Sequence, residues 1–405
     1  MTGWNQFRGD GRNSGRRSEL EGPERLETAW TADPAGAIRT DPVLDRAAVY
    51  VGTDRALYAF GRKDGHRRWV LERLESAPVT PVVTRDRCFV ATTGGAVFAL
   101  EATTGDRLWE TALAGDLDPD AALTVADDLL VVGTSAGVTA LETTTGDERW
   151  SREATGGVVG SPAVDDGRVY VGTTEQVVHA YDLDGEGDES EERVDAGPAA
   201  EPGTDEATSR GALDASKSIS LDAMAQEEET DSSDARWTAP INGTIVDAPT
   251  VDGGRVYVAD DAGRLFSLDG ETGQTYFTYE TDGAFTAAPT VVGDAAFVAG
   301  DDNYVHIVET SFGTRKLRGW LFSKKGIALD SAIRANPVVA GDVLCASDAD
   351  GTMYGIDVAD PDFEWQFGLE SPATSTPAVA EGRLYVGCAD DRLYCLSWVE
   401  TPDRR

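Results

Sequence analysis

Lysine is almost missing from this chain. Only 5 of its 35 basic residues are Lys, against 72 Asp and Glu, and the formal charge is −37 over 405 residues. A field of that sign excludes nucleic acid as a default partner, because phosphate backbones are held by clustered Lys and Arg. No run approaches the length of apolar sequence that a membrane-spanning helix needs, about 18 residues. Cysteine is scarce too: Cys88, Cys345, Cys388 and Cys395 are scattered, with no CxxC spacing and no adjacent pair. Three of them occupy strand positions filled elsewhere by Leu, Val or Ala, so small buried thiols are expected. No signal peptide is expected at the N-terminus. Arg16-Arg17 is followed by Ser18-Glu19-Leu20-Glu21-Gly22-Pro23, where a twin-arginine leader requires an apolar run, and no N-terminal Cys is there to take a lipid. These absences lead to the expectation of a soluble, cytoplasmic monomer with no membrane span. Acid spread along the whole chain suggests a surface adapted to concentrated salt, which screens self-repulsion.

What the chain has in quantity is a repeat. A strand opened by proline is followed by a turn, a hydrophobic strand, a second turn, another strand, a Thr-Gly turn and an outer strand with an aromatic residue. The clearest copy begins at Ser161-Pro162-Ala163-Val164 and continues through Val169-Tyr170-Val171-Gly172. The opening prolines are Pro42, Pro81, Pro162, Pro249, Pro289, Pro337 and Pro377, with Ala121-Ala122 read as the equivalent place in the third unit. The closing aromatics give an independent count: Trp30, Trp69, Trp109, Trp150, Trp237, Tyr276, Trp320 and Trp365. Both counts indicate eight units, and a period of about 40 residues is that of four-stranded propeller blades. A flat aromatic recurring on the outer strand is expected to pack between neighbouring blades.

The fold expected is therefore all-β, an eight-bladed β-propeller of four-stranded antiparallel blades. The first aromatic precedes the first proline, so the strand around Leu26–Thr31 should complete the C-terminal blade and leave no open sheet edge. Residues 1–25 form an N-terminal opening segment and 26–405 a single ring. An acidic insertion at about 185–235 interrupts blade four. Its few aromatics and strong charge predict disorder, with Ile219-Ser220-Leu221-Asp222-Ala223-Met224-Ala225 a solvated linker rather than a docking helix.

These repeats resemble the quinoprotein-like (PQQ-binding-like) β-propeller family, and in particular eight-bladed propellers of the BamB type. The units read Pro-Ala-Val, Val-Tyr-Val-Gly, Leu-Tyr-Ala, Thr-Gly and Trp, and the resemblance extends from about Trp4 to Trp398. It implies either of two functions: a non-enzymatic scaffold or ligand-sensing module with unidentified protein partners, or a PQQ- and calcium-dependent dehydrogenase of alcohols or sugars. The alcohol-dehydrogenase branch stacks its quinone against a disulfide of adjacent Cys residues, which this chain lacks. No cofactor and no metal are therefore expected, and no catalytic residue is assigned. Asp182-Leu183-Asp184-Gly185-Glu186-Gly187-Asp188 is rich in oxygen ligands but lacks the spacing of a calcium-binding EF-hand loop.

The positions most suited to binding precede the innermost strands. Ala37-Ile38-Arg39-Thr40-Asp41-Pro42 and Ala332-Ile333-Arg334-Ala335-Asn336-Pro337 are near-copies. Arg39, Asp41, Arg334 and Asn336 are the candidate ligand or partner residues at the channel mouth, where two guanidinium groups suit an anion. The plainer reading is that each Arg neutralises a nearby Asp. His179 and His306 fall in a column filled elsewhere by Tyr58, Phe98, Phe266, Tyr354 and Tyr394, and are read as packing residues. His66 should be exposed in its turn, and Arg8-Gly9-Asp10 is read as coincidence.

Overall fold

The second strand of each unit, such as Val49-Tyr50-Val51 or Leu384-Tyr385-Val386, is buried along its whole length. That is what a strand sandwiched between two neighbouring sheets requires, because side chains of both parities then meet protein. The structure is a computed structural model that describes residues 3–185, 235–315 and 326–398. Its sheets are eight four-stranded antiparallel blades in a ring. Blade 1 comprises Val43–Leu44, Ala48–Gly52, Leu57–Gly61 and Arg67–Leu71, from the channel outward. The strand Leu26–Ala32 pairs antiparallel with Leu393–Trp398 and completes blade 8, so the two ends of the chain share one sheet.

Two positions of the repeat differ from expectation. Leu123, and not Ala121-Ala122, takes the proline's place in blade 3: Thr124 after it pairs with Val131 as Val43 after Pro42 pairs with Tyr50. In blade 5 the packing aromatic is Phe277, which is buried and meets Tyr257 at 6.4 Å between ring centroids, while Tyr276 is 57% exposed. The outer strand bulges between the residues opposite Ser267 and Leu268, at the place where the outer strands of blades 1, 2, 3, 7 and 8 bulge too, which puts Phe277 and not Tyr276 in register with the tryptophans. The extra residue re-aims the side chains around it, and Tyr276 is that residue. Arg255 lies over its exposed ring at 3.6 Å.

The outer-strand aromatics join one blade to the next. The Trp30 indole N–H donates to the Arg62 carbonyl of blade 1, Trp69 to Ala102, Trp109 to Thr143, Trp150 to Leu183 and Trp237 to Gly270. Each ring also lies on the glycine of the following blade's turn. A Cβ on Gly105 would come within 2.7 Å of Trp69, and its φ of +77° favours glycine in any case. Trp365 donates instead to Pro23 in the N-terminal segment. Trp320 and nearly all of the 185–235 insertion lie outside the described residues.

The N-terminal segment is the feature that the repeat does not foreshadow. It runs along the inner strands of successive blades, bonding Leu44 N through Trp4 O, Val83 N through Asn5 O, Val164 N through Gly11 O, Val251 N through Arg12 O and Val339 N through Gly15 O. The Gln6 carboxamide accepts from Val125 N, and Arg16 donates to Val291 O. Arg16–Arg17 then pairs in parallel with Val338–Ala340 of blade 7. Although distinct in sequence, residues 3–17 are thus part of the ring's interior, while Ser18, Glu19, Glu21, Glu24 and Arg25 are exposed.

Candidate central-channel site

Inner strands of a propeller run along the channel, so the residues flanking each opening proline face one another across it. The chain enters this space from one end as a loop. Arg8 has a left-handed backbone (φ +50°), and Gly15 N donates back to its carbonyl. A Cβ on Gly15 would stand 2.6 Å from the Arg8 guanidinium, so only glycine fits. Arg8 is wholly buried. Its guanidinium donates to Pro289 O at 2.9 Å, to the Thr290 hydroxyl and to the Thr250 hydroxyl at 3.3 Å. Beside it, the Asn13 amide donates to Pro249 O and Ser161 O, and Asp10 accepts from Ser14 and Arg12 to hold the loop closed.

Farther along the channel a belt of polar side chains links the blades. Asp41 accepts from Thr376 N at 2.7 Å and its own N donates to the Thr80 hydroxyl, so blades 8, 1 and 2 are joined. Asn336 accepts from Ala288 N and donates to the Thr376 hydroxyl at 3.0 Å and to Asp247 at 2.9 Å. This belt therefore spans blades 5 to 8, 1 and 2. Two of the four residues expected at the mouth, Asp41 and Asn336, belong to it.

The belt has unusual electrostatics. Burial pushes the Asp41 carboxyl up to about 7, against hydrogen bonds from Thr376 and with help from the nearby Asp247. Asp41 touches solvent along the channel but is otherwise surrounded by protein. Burial likewise raises Asp247, opposed by the Ala248 N–H, Asn336 and Arg8. Arg8 is pulled down to about 10 by burial and held up by Asp247, Asp10 and Asp41. A buried cation thus shares the channel with two carboxyls that burial holds above the ordinary carboxylate range.

The expected arginines lie elsewhere. Arg39 is exposed and pairs with Asp54 of its own blade at 2.7 Å, the plainer of the two readings. Arg334 is exposed and has no ion-pair partner among the described residues. His179 and His306 are fully buried in the expected strand column. His179 stacks on Tyr181, and burial lowers it to about 4 against the opposing influence of the Thr155 backbone. His306 lies between the Tyr279 hydroxyl at 3.2 Å and Asp302 at 3.1 Å. His66 is exposed.

Sequence reasoning passed over Arg8 and Asp247. Arg8 carried little readable signal, since arginine rarely takes the left-handed backbone that it has here. Asp247, two residues before Pro249, has none, because only the ring brings it to Asn336.

One branch of the quinoprotein family stacks its quinone on a disulfide of adjacent Cys residues. All four thiols are free, buried and singly placed, so no disulfide platform is available. Among the described residues, no group of three His, Cys, Asp or Glu side chains stands close enough to hold a metal ion.

Residues 26–118, 115–223, 220–360 and 318–401 match the family model described as outer membrane protein assembly factor BamB. The serine/threonine-protein kinase AfsK of Streptomyces griseus is 29% identical over 157 residues, which is 34% of this chain and 18% of the kinase. The chain thus matches less than a fifth of that relative's length. Among solved structures, BamB from Moraxella catarrhalis superposes with a TM-score of 0.67 at 18% identity, covering 94% of this chain and all of the other. A europium-containing methanol dehydrogenase superposes with a TM-score of 0.72 at 13% identity, covering 98% of each chain. At these identities the superpositions establish the ring and nothing of its chemistry.

Proposed function

The chain belongs to the family of the outer membrane protein assembly factor BamB, and on that premise we propose that it is a non-enzymatic propeller serving as a protein-interaction scaffold or ligand-sensing module. The observation that carries this reading is the channel. One end is filled by the chain's own Arg8 loop, and the polar groups beyond it are engaged with one another across the blades. Channel side chains spent on joining blades are not free to activate a substrate, and catalysis needs a nucleophile, base or metal held against open space. The acid-rich, lysine-poor surface supports work in concentrated salt, in a cytoplasmic setting. Arg334, unpaired at the open mouth, is the residue best placed for an anionic ligand there.

The rival is a quinone- and calcium-dependent dehydrogenase. The test is to titrate the purified chain with the quinone and Ca²⁺ in concentrated KCl, follow dye reduction with alcohols and sugars, and in parallel use the chain as bait. A specific protein partner without quinone turnover is expected. Stoichiometric quinone binding with turnover would overturn the scaffold reading.

A further inference from the structure

A chain with a formal charge of −37 nonetheless carries one concentrated patch of the opposite sign. Between Arg46 and Arg73 there are seven basic residues and three acidic ones. Folding gathers the patch further. Arg46, Arg62, Lys63, His66, Arg67 and Arg68 surround a cleft of ≈ 410 Å³ on blade 1, whose acidic lining residue is Asp64. Arg383 of blade 8 reaches the same place, donating to the Arg62 and Lys63 carbonyls.

The cations there divide into two kinds. Arg62 is buried and fixed: it donates to Asp45 O and lies 3.6 Å from Glu381. Arg46, Lys63, Arg67 and Arg68 are exposed and have no ion-pair partner among the described residues. Arg67 and Arg68 border the bulge of the outer strand opposite Ala59 and Phe60, the local distortion by which both come to line one cleft. Among the residues lining the cleft, the only carboxylate set against these cations is that of Asp64.

The cleft shares Arg46 and Ala47 with a second, mostly apolar groove of ≈ 370 Å³, whose lining includes Leu44, Val83, Asn5, Arg85 and one carboxylate, Asp45. A cationic cleft joined to an apolar groove fits a ligand with carboxylates beside a bulky apolar group. The surrounding charge limits its size. Beyond a screening length of about 8–10 Å, a flat anionic bilayer or a nucleic acid would meet the acidic remainder of the surface, whereas a short peptide would not. Bidentate contacts between arginine and carboxylate act at hydrogen-bond distance and survive salt that removes long-range attraction.

We propose that this cleft and groove dock a short acidic segment of a partner protein, with an apolar side chain of that segment in the groove. The inference rests on the scaffold reading for the ligand being protein.

The test uses fluorescence anisotropy of the full chain with a labelled synthetic peptide in which a glutamate-aspartate run adjoins two leucines. Saturable binding is expected, falling by about tenfold or more in Arg67→Glu/Arg68→Glu. The glutamine-asparagine version of the peptide should bind no better than the acidic peptide binds the variant. Arg67→Gln/Arg68→Gln, milder in charge, should lose affinity in the same direction with an unchanged circular dichroism spectrum. Equal binding by the original chain and both variants overturns the proposal. So does binding of phosphatidylglycerol vesicles without binding of the peptide, which would assign the cleft to lipid. In capture experiments, a partner held equally by the original chain and Arg67→Glu/Arg68→Glu overturns the docking site and leaves the scaffold reading standing. Capture of no partner by either chain overturns the scaffold reading, while the anisotropy result decides the cleft.

Discussion

Arg8 and Asp41 have opposite formal charges and share one buried space, so each alters what the other can do. Replacing Arg8 with Met removes bonds to Pro289, Thr290 and Thr250 and leaves their oxygens facing an apolar side chain. Burial of the cation is itself costly, which offsets part of the loss. Arg8→Met should lower stability by about 2–4 kcal/mol, measured as a reduced urea midpoint. It should also raise the Asp41 carboxyl further by removing a favourable charge. For Asp41 itself the folded carboxyl, at about 7, lies above the ordinary value of 3.8. The native state therefore holds its proton more tightly than the unfolded state, and this group's contribution is fully present below the unfolded value. It is lost as pH rises through the folded one. Asp41→Asn keeps an oxygen for Thr376 N but cannot titrate. The difference in unfolding free energy between the original chain and Asp41→Asn should shift by about 2–4 kcal/mol between roughly pH 4 and pH 7, with the original chain losing ground as pH rises. A flat difference would show that Asp41 is ionised at neutrality.

At the scale of the strand, one residue of displacement separates a packing side chain from a surface one. Phe277 closes the gap between blades 5 and 6, lying on Gly313 as Trp237 lies on Gly273. Tyr276 points outward under Arg255. Phe277→Ala should cost about 3–5 kcal/mol, as loss of a buried aromatic does. Tyr276→Ala should cost under about 1 kcal/mol, the worth of an exposed cation–π contact. Thermal denaturation of the two variants distinguishes the assignments directly, and the reverse order would restore Tyr276 to the blade interface. The signal for Phe277 was present in the sequence. Thr104-Gly105 precedes Trp109, and Thr272-Gly273 precedes Phe277, by the same number of residues. Tyr276 drew attention only because its ring is larger and more polar than its neighbour's.

At the scale of the whole molecule, ring closure and net charge act against each other. Pairing of Leu26–Ala32 with Leu393–Trp398 leaves the ring without an unpaired end, and the N-terminal loop ties blades 1 to 7 from inside. A charge of −37 strains that closure through self-repulsion. Raising KCl from dilute buffer toward molar concentration shortens the screening length to about 3 Å. The melting temperature should rise steadily with salt, by several degrees for each kcal/mol recovered. An unchanged melting temperature across that range would remove the case for salt adaptation. Arg67→Glu/Arg68→Glu should make the dependence steeper, since it adds negative charge where the surface now carries positive.

Apart from Leu123 and Phe277, the repeat was legible from the sequence: eight units, four strands each, one closing strand, two histidines in a packing column. All of these follow from side-chain alternation, turn chemistry and the recurring aromatic, which are local properties repeated often enough to be read without the fold. The candidate site was legible only in part. Asp41 and Asn336 stood out because they precede prolines in near-copied segments, and the arginines two residues earlier stood out equally. Strand alternation would put both on one face, but these segments are irregular, so Asp41 and Asn336 reach the belt while Arg39 and Arg334 reach solvent. Arg8 meeting Thr290, Asp247 meeting Asn336, and Arg383 of blade 8 joining the cations of blade 1 join residues far apart in the chain. A short-range pattern can specify each blade because a blade is built from neighbours in sequence. The channel belongs to no blade, and it exists only once the ring has closed and brought distant side chains within hydrogen-bond reach; the basic cleft is lined by blade 1, and ring closure adds Arg383 to it.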